Sequence, residues 1–327
     1  MPSAKPLVYI PRVEWCPYEY YMDAANERLL KSFARVRNNG DGREKLSHGE
    51  MVDHLRGAHA LLVMNGAHVD EITYEAVKEA GALKVAAVAH WWGQSCVDLF
   101  ARLKKAGVKT IDASDACNEA VAEWALGAII AGLRKMDVFD RLMKNGVKWP
   151  TWRGVAGQLN GSTVGLVGVG RVGKWLVRYL KPFDVRLLVC DPFMTRKAAA
   201  EMGVEKVDLN TLLKTCDAIS LHAPIIPETK GMIGRRELKL IRDGALLVNS
   251  ARAWLLDNDA FRKEMQTGRF RAYLDVYEPE PPGENDVLRT LDNVVMTPHV
   301  AGTTDMMFHR CGRFAIEALR EYFKKRG

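Results

Sequence analysis

Three residues of this 327-residue chain carry side chains suited to gripping an anion and moving a proton: Arg252, Glu280 and His299. Each stands just past a short apolar run, in Asn249-Ser-Ala-Arg252, in Asp275 followed by Glu280, and in Thr297-Pro-His-Val-Ala-Gly302. Arginine can hold a carboxylate bidentately and polarise a carbonyl. Histidine can donate or take the proton that accompanies a hydride. A glutamate hydrogen-bonded to that histidine would favour the imidazolium and fix its ring. Together they suit 2-oxo-acid reduction or its reverse. Singly, each has an ordinary explanation: a surface arginine, a turn residue before Pro281, a helix cap. Their order after separate strands carries the reading.

The hydride partner is indicated further upstream. In Thr163-Val-Gly-Leu-Val-Gly-Val-Gly-Arg-Val-Gly173, residues Gly168, Gly170 and Gly173 fit G-x-G-x-x-G. A buried strand precedes them, and Lys174-Trp-Leu-Val-Arg-Tyr-Leu180 reads as the start of a helix. Asp191 closes a second strand, Val185-Arg-Leu-Leu-Val-Cys190, eighteen positions after Gly173. This is a dinucleotide fingerprint in its strand-turn-helix-strand context. Gly168 permits a tight turn, Gly170 lets backbone approach a pyrophosphate, and Gly173 lets helix pack on strand. The N–H groups of Arg171 and Val172 lie at the positive end of that helix. Asp191 would accept hydrogen bonds from ribose hydroxyls and repel a 2′-phosphate, which favours NAD over NADP. Arg196 and Lys197 read as a solvated pair. His222-Ala-Pro224 follows a third strand, and His222 reads as a structural residue near the cofactor.

The elements that must position these residues come in two series. From Leu7 to about Asp112, Leu7-Val-Tyr-Ile10, Ala60-Leu-Leu-Val-Met64, Leu83-Lys-Val-Ala-Ala-Val-Ala89 and Val108-Lys-Thr-Ile111 read as strands. Helical patterns at Ser47–Leu55 and Tyr74–Ala80 lie between them, so the strands are parallel. From Thr163 strands are centred near Leu166, Leu188, Ile219, Leu247, Leu274 and Val295. Asn118–Arg134 reads as one long apolar helix that joins two domains or forms a dimer seam. Lys144–Gln158 is the most loop-like stretch, and Asp305–Lys324 is an amphipathic helix that returns to the first domain. The expected fold is α/β: a doubly wound parallel (Rossmann) nucleotide domain over 113–299, and a smaller flavodoxin-like α/β substrate domain from 1–112 and 300–327.

Composition agrees with a globular enzyme. The chain is 48% hydrophobic and 27% charged, and its formal charge of +7 is spread without a basic block interleaved with aromatics. Nucleic acid is not an expected partner. Cys16, Cys96, Cys117, Cys190, Cys216 and Cys311 show no metal spacing and read as buried thiols of a reducing compartment. With no signal peptide and no membrane-length apolar run, the expected location is cytoplasmic.

These segments resemble the D-isomer-specific 2-hydroxyacid dehydrogenases. The likeness rests on Val164–Asp191, Leu221–Gly231, Val248–Arg252, Leu274–Pro281 and Thr297–Gly302, with Asn118–Glu123 similar to the helix opening before that family's nucleotide domain. It covers most of residues 83–310 and implies a 2-oxo-acid reductase in which Arg252, Glu280 and His299 are catalytic. It also implies NAD contacts at Gly168, Gly170, Arg171, Val172, Gly173, Asp191, Pro192, His222, Ala223, Pro224, Ser250, Ala251, Arg252, Asp275, His299 and Ala301. Asp275 would lie near the nicotinamide carboxamide. The substrate, a small anionic 2-oxo or 2-hydroxy acid, would meet Trp91, Trp92, Gly93, Arg252 and His299. No metal is expected, and a homodimer through the nucleotide domain is. The chain departs from the pattern at Ala253-Trp254, where glycine is usual after the arginine, and at His90-Trp-Trp-Gly-Gln94, a carboxylate-binding loop one residue longer than usual. Asn65 and His68 follow a strand of the first domain and could face the cleft. The absence of a C-terminal regulatory extension argues against feedback by serine, and Glu280, where glutamine would stand, argues against formate oxidation. Phosphite oxidation stays open. The competing class is an NAD(H)-binding corepressor-like module without turnover.

Overall fold

Runs of four or five buried aliphatics, too short for helices, alternate with amphipathic segments that have strong starts and stops. The computed structural model describes residues 5–325 except 41, 44, 65, 90–92 and 148–155, with the side chains of 93, 94, 114 and 115 also outside the description. The chain folds as two compact units, Met1–Cys117 with Thr303–Gly327, and Asn118–Gly302.

In the first unit β1 (Leu7–Ile10), β2 (Arg35–Asn38), β3 (Ala60–Val63), β4 (Val85–Val88) and β5 (Lys109–Asp112) form a parallel sheet in the order β2-β1-β3-β4-β5. That is the flavodoxin-like order. Helices α1 (Ala24–Phe33), α2 (His48–Leu55), α3 (Tyr74–Ala80) and α4 (Gly93–Lys105) connect the strands. Alternate residues of each strand point to opposite faces. Val8, Ile10, Ala60 and Leu62 pack on one face with Leu30 of α1 and Ile316 and Leu319 near the C-terminus. Tyr9, Leu61 and Val63 pack on the other with Met51 and Leu55 of α2 and Leu99 of α4. A capping box, Ser47 with Glu50, starts α2. Strand β2 escapes the sequence reading because Arg35-Val-Arg-Asn38 is an exposed to half-buried edge without a core face.

The second unit opens with α5 (Asn118–Leu133) and α6 (Met136–Lys144), followed by β6 (Thr163–Val167), α7 (Arg171–Leu180), β7 (Arg186–Cys190), α8 (Arg196–Met202), β8 (Glu205–Lys206), α9 (Leu209–Thr215) and β9 (Ala218–Leu221). Then come α10 (Arg235–Leu238), β10 (Leu246–Asn249), α11 (Asn258–Met265), β11 (Arg271–Leu274) and β12 (Val294–Met296), before α12 (Asp305–Lys324) returns to the first unit. The sheet is parallel throughout, ordered β12-β11-β10-β9-β6-β7-β8. Its direction of winding reverses between β6 and β9, as in a doubly wound dinucleotide fold. Six of its strands lie where the apolar runs place them. The seventh, β8, is two residues long and half exposed, and its sequence carries no strand signal.

Two further adjustments have plain causes. Helix α7 begins at Arg171 rather than Lys174, because Gly170 takes the cap position and Gly173 falls in the first turn. The face of α5 carrying Ala122, Ala125, Ala128, Ile129 and Gly132 is buried inside its own unit with Leu246, Val248 and Tyr273, so that face is not a dimer seam. A Cβ at Gly132 would stand 2.6 Å from a Leu246 methyl, which shows how closely α5 lies on β10. Among the described residues no helix is long and apolar enough to cross a membrane.

Candidate active site

The glycine turn connects β6 to α7. Gly168 has φ +86°, and a Cβ there would stand 2.8 Å from the Ala223 nitrogen at the end of β9. Both facts demand glycine. A Cβ at Gly173 would stand 2.9 Å from the Gly168 carbonyl oxygen, whereas one at Gly170 would enter open space. The turn is thus sealed behind by protein backbone and open in front, where the first-turn N–H groups of α7 have no acceptor within the helix. Asp191 locks this arrangement from the end of β7. One of its carboxylate oxygens accepts from the Val169 N–H at 2.8 Å, and the other from the Phe193 N–H at 2.9 Å. Arg196 and Lys197 open α8 on the surface, and Lys197 lies 4.0 Å from Glu201.

Two side chains touch on the same rim of the sheet, and a third lies within electrostatic reach of them. His299 Nδ1 and Glu280 Oε1 are 2.6 Å apart, with the imidazole 28% and the carboxyl 39% exposed. Arg252 lies in the field of the same glutamate: burial pulls the guanidinium's pKa down, while the glutamate's charge supports it. Its Nη1 donates to the Ala251 carbonyl at 2.7 Å. The carboxylate therefore contacts the imidazole and supports the guanidinium's charge.

Asn249 and Asp275 hold this constellation and were not read as doing so. The Asn249 side chain is fully buried at the end of β10; it donates to the Arg252 carbonyl at 3.1 Å and accepts from the Ala251 N–H at 3.1 Å. The turn carrying Arg252 is thereby closed on itself. An asparagine three positions before the arginine is the only trace of this in sequence. Asp275, also fully buried, accepts from the Thr297 hydroxyl at 2.5 Å and from the Val300 and Ala301 N–H groups at 2.9 and 2.8 Å. These bonds fix the loop in which His299 adopts φ +55°, unusual for a residue with a side chain. Tyr277 Oη lies 2.7 Å from the Thr297 carbonyl, another tie to that loop.

His222 sits at the end of β9 with Nε2 2.8 Å from Ser220 Oγ, and burial pushes its pKa down to about 4. It therefore carries no charge near neutral pH. Ala223 and Ala301 are buried, Pro192 and Pro224 exposed. Ser250 Oγ is buried with no hydrogen-bond partner among the described residues. An orphaned hydroxyl at the end of β10, in the same sheet whose β6 and β7 carry the open glycine turn and Asp191, fits a polar dinucleotide. His90, Trp91, Trp92 and Asn65 lie outside the described residues, as do the surroundings of Gly93. His68 does not face outward. Its side chain is fully buried in the first unit, with Nε2 3.0 Å from the Arg12 carbonyl. Among the described residues no group of histidines, cysteines and carboxylates could hold a metal.

The family model for "D-isomer specific 2-hydroxyacid dehydrogenase, NAD binding domain" matches residues 126–301. The chain belongs to this family. It is 34% identical to the D-3-phosphoglycerate dehydrogenase of Methanocaldococcus jannaschii over 281 residues, covering 85% of this chain and 52% of that one. It is 32% identical to the hydroxypyruvate reductase of Thermotoga maritima over 287 residues, 87% and 90% of the two chains. Among solved structures the TT0316 protein of Thermus thermophilus superposes with a TM-score of 0.76 at 26% identity, covering 98% of this chain and 97% of that one. The chain spans about half the length of the phosphoglycerate dehydrogenases it matches.

Within this dehydrogenase family the substitution at Ala253 is accommodated: the residue starts a single 3-10 turn and is not among the positive-φ positions. Trp254 Nε1 donates to the Ile226 carbonyl at 3.2 Å, and Lys230 Nζ lies 4.9 Å from the ring centre. Its bulk braces the loop after β9.

Proposed function

We propose that the chain is an NAD-dependent 2-hydroxyacid dehydrogenase working as a 2-oxo-acid reductase. The observation that carries this is the 2.6 Å contact of His299 with Glu280, with Arg252 under the same carboxylate's charge. Arg252 binds the substrate carboxylate and polarises its carbonyl. Glu280 engages His299 Nδ1, so Nε2 is the nitrogen that passes the proton to the carbonyl oxygen. Bound NADH supplies the hydride. Asp191, already fixed by two N–H groups, accepts ribose hydroxyls and disfavours a 2′-phosphate. Ser250, with its orphaned hydroxyl, and the Gly170 opening belong to the cofactor's cradle. Trp91, Trp92 and Gly93 are assigned to the substrate on sequence grounds. A cofactor-sensing module without turnover has no use for the histidine–glutamate pair.

The same reading includes a cytoplasmic location, supported by six cysteines held as thiols, and a homodimer through the second unit. The test is loss of NADH absorbance with glyoxylate, hydroxypyruvate, its 3-phosphate, pyruvate, phenylpyruvate and 4-hydroxyphenylpyruvate, with NADPH run in parallel. Turnover of at least one acid, faster with NADH, is expected. Silence across the panel by protein that still binds NADH would reject the reductase.

A further inference from the structure

Away from this site, two thiols distant in sequence touch. Cys117 Sγ lies 3.3 Å from Cys311 Sγ, and Cys311 Sγ lies 3.4 Å from Met307 Sδ. Neither cysteine is in a disulfide, and both belong to the first unit. A disulfide requires about 2.05 Å, so the sulfurs need to close by little more than an ångström.

The two positions differ in the way a redox pair requires. Cys117 is partly exposed and ends a 3-10 turn, Ser114–Cys117, immediately before the 16-residue helix α5. The positive end of that helix favours a thiolate. Cys311 is fully buried in α12, and its pKa is pushed well up, first by its hydrogen bond to Cys117 and then by burial. Cys311 therefore keeps its proton, which it donates to Met307 Sδ, and the partly exposed Cys117 is the sulfur that meets an oxidant. Once Cys117 is oxidised the main cause of that elevation is gone, and Cys311 is placed to attack.

We propose that Cys117 and Cys311 form a reversible thiol–disulfide site oxidised by hydroperoxides. The Cys117 thiolate attacks a peroxide oxygen, the O–O bond breaks, and water or alcohol leaves with a proton from solvent. The resulting Cys117 sulfenic acid is attacked by Cys311, whose proton departs with the displaced hydroxide as water. Two thiols lose two electrons and the peroxide gains them. The bond closes on the last residue before the chain passes into its second unit.

The experiment treats the full chain with a small molar excess of hydrogen peroxide, blocks remaining thiols with an alkylating agent, and digests without reduction. A Cys117–Cys311 linked peptide, two hydrogens lighter than the separate pair and absent after dithiothreitol, is the expected product. In Cys311→Ser, Cys117 should accumulate as a sulfenic acid trapped by dimedone; Cys311→Ala serves where serine prevents folding. In Cys117→Ser, Cys311 should stay alkylatable. Alkylation of both cysteines after peroxide would show a merely packed pair and overturn the proposal. So would Cys117 sulfinic acid without the link, or oxidation of Cys311 in Cys117→Ser.

Discussion

Arg252 owes its position to backbone hydrogen bonds and its charge balance to Glu280, so its removal should disturb chemistry far more than structure. Its own side-chain bond in the free protein is to the neighbouring Ala251 carbonyl, which solvent can replace. Substituting Arg252 by Ala is expected to lower kcat/KM about a thousandfold, a loss of about 4 kcal/mol in the transition state, while NADH affinity changes less than about threefold. Lysine there should recover part of the rate, because it keeps the charge and loses the planar fork. Steady-state kinetics with an NADH-fluorescence titration decide this, and an unimpaired Arg252→Ala enzyme would remove the residue from the mechanism. Much of the site is legible at this scale, since Gly168, Gly173, Asp191 and the Arg252, Glu280, His299 series each declare a local requirement. Asn249, Asp275 and Tyr277 do not. Their roles are hydrogen bonds to backbone, in Asp275's case 25 and 26 positions away, and residue type alone does not name such a partner.

Elements were readable where a core face is continuous and unreadable where it is missing. Strands β3, β4, β9 and β10 are wholly buried and appear as aliphatic runs, whereas β2 and β8 are edges. Helix α12 was readable as an amphipathic helix, but its tightest contact was not. A Cβ at Gly312 would stand 2.1 Å from the Tyr21 carbonyl oxygen, which also accepts from Asn26 Nδ2 at 2.8 Å. Gly312→Ala gains helix propensity of about 1 kcal/mol but must displace backbone. A net destabilisation of about 2 kcal/mol is expected, and urea unfolding showing no loss would contradict the close docking of α12. At the end of β9 the low pKa of His222 gives a pH signature. Between its ordinary value of 6.5 and about 4, the unfolded chain takes up a proton that the folded protein refuses. The unfolded state binds more protons there, so stability rises with pH across that window and falls on acidification. From pH 7 to pH 5 this residue should cost about 1 to 2 kcal/mol, allowing for its partial exposure. His222→Asn lacks that component, and its stability should fall less steeply over the same interval. Equal slopes would mean that the histidine titrates normally.

At the scale of the molecule, two α/β units are readable from the spacing of strands, and the order of motifs alone points to the family. Assembly is a matter of surfaces, which periodicity registers weakly. Helix α6 has no buried residue, yet it is far from uniformly polar. Asp137 accepts from Tyr273 Oη at 2.8 Å and from Arg271 at 2.5 Å, while Arg141 lies 3.4 Å from Asp292. At 100° per residue those two anchors share one side of the helix, which leaves Met136 and Met143 on the other. They are 57% and 49% exposed, and Val147 beyond the helix is 39% exposed. A stripe held outward by anchors on the sheet side is what a second copy of the chain would cover in a twofold contact. The wild-type chain is therefore expected to sediment at twice its 36.6 kDa mass. Met136→Asp combined with Met143→Asp should shift it toward the single-chain value at micromolar concentration, with its circular dichroism unchanged. A monomeric wild type would dispose of the dimer, and a dimer indifferent to both aspartates would move the interface off α6.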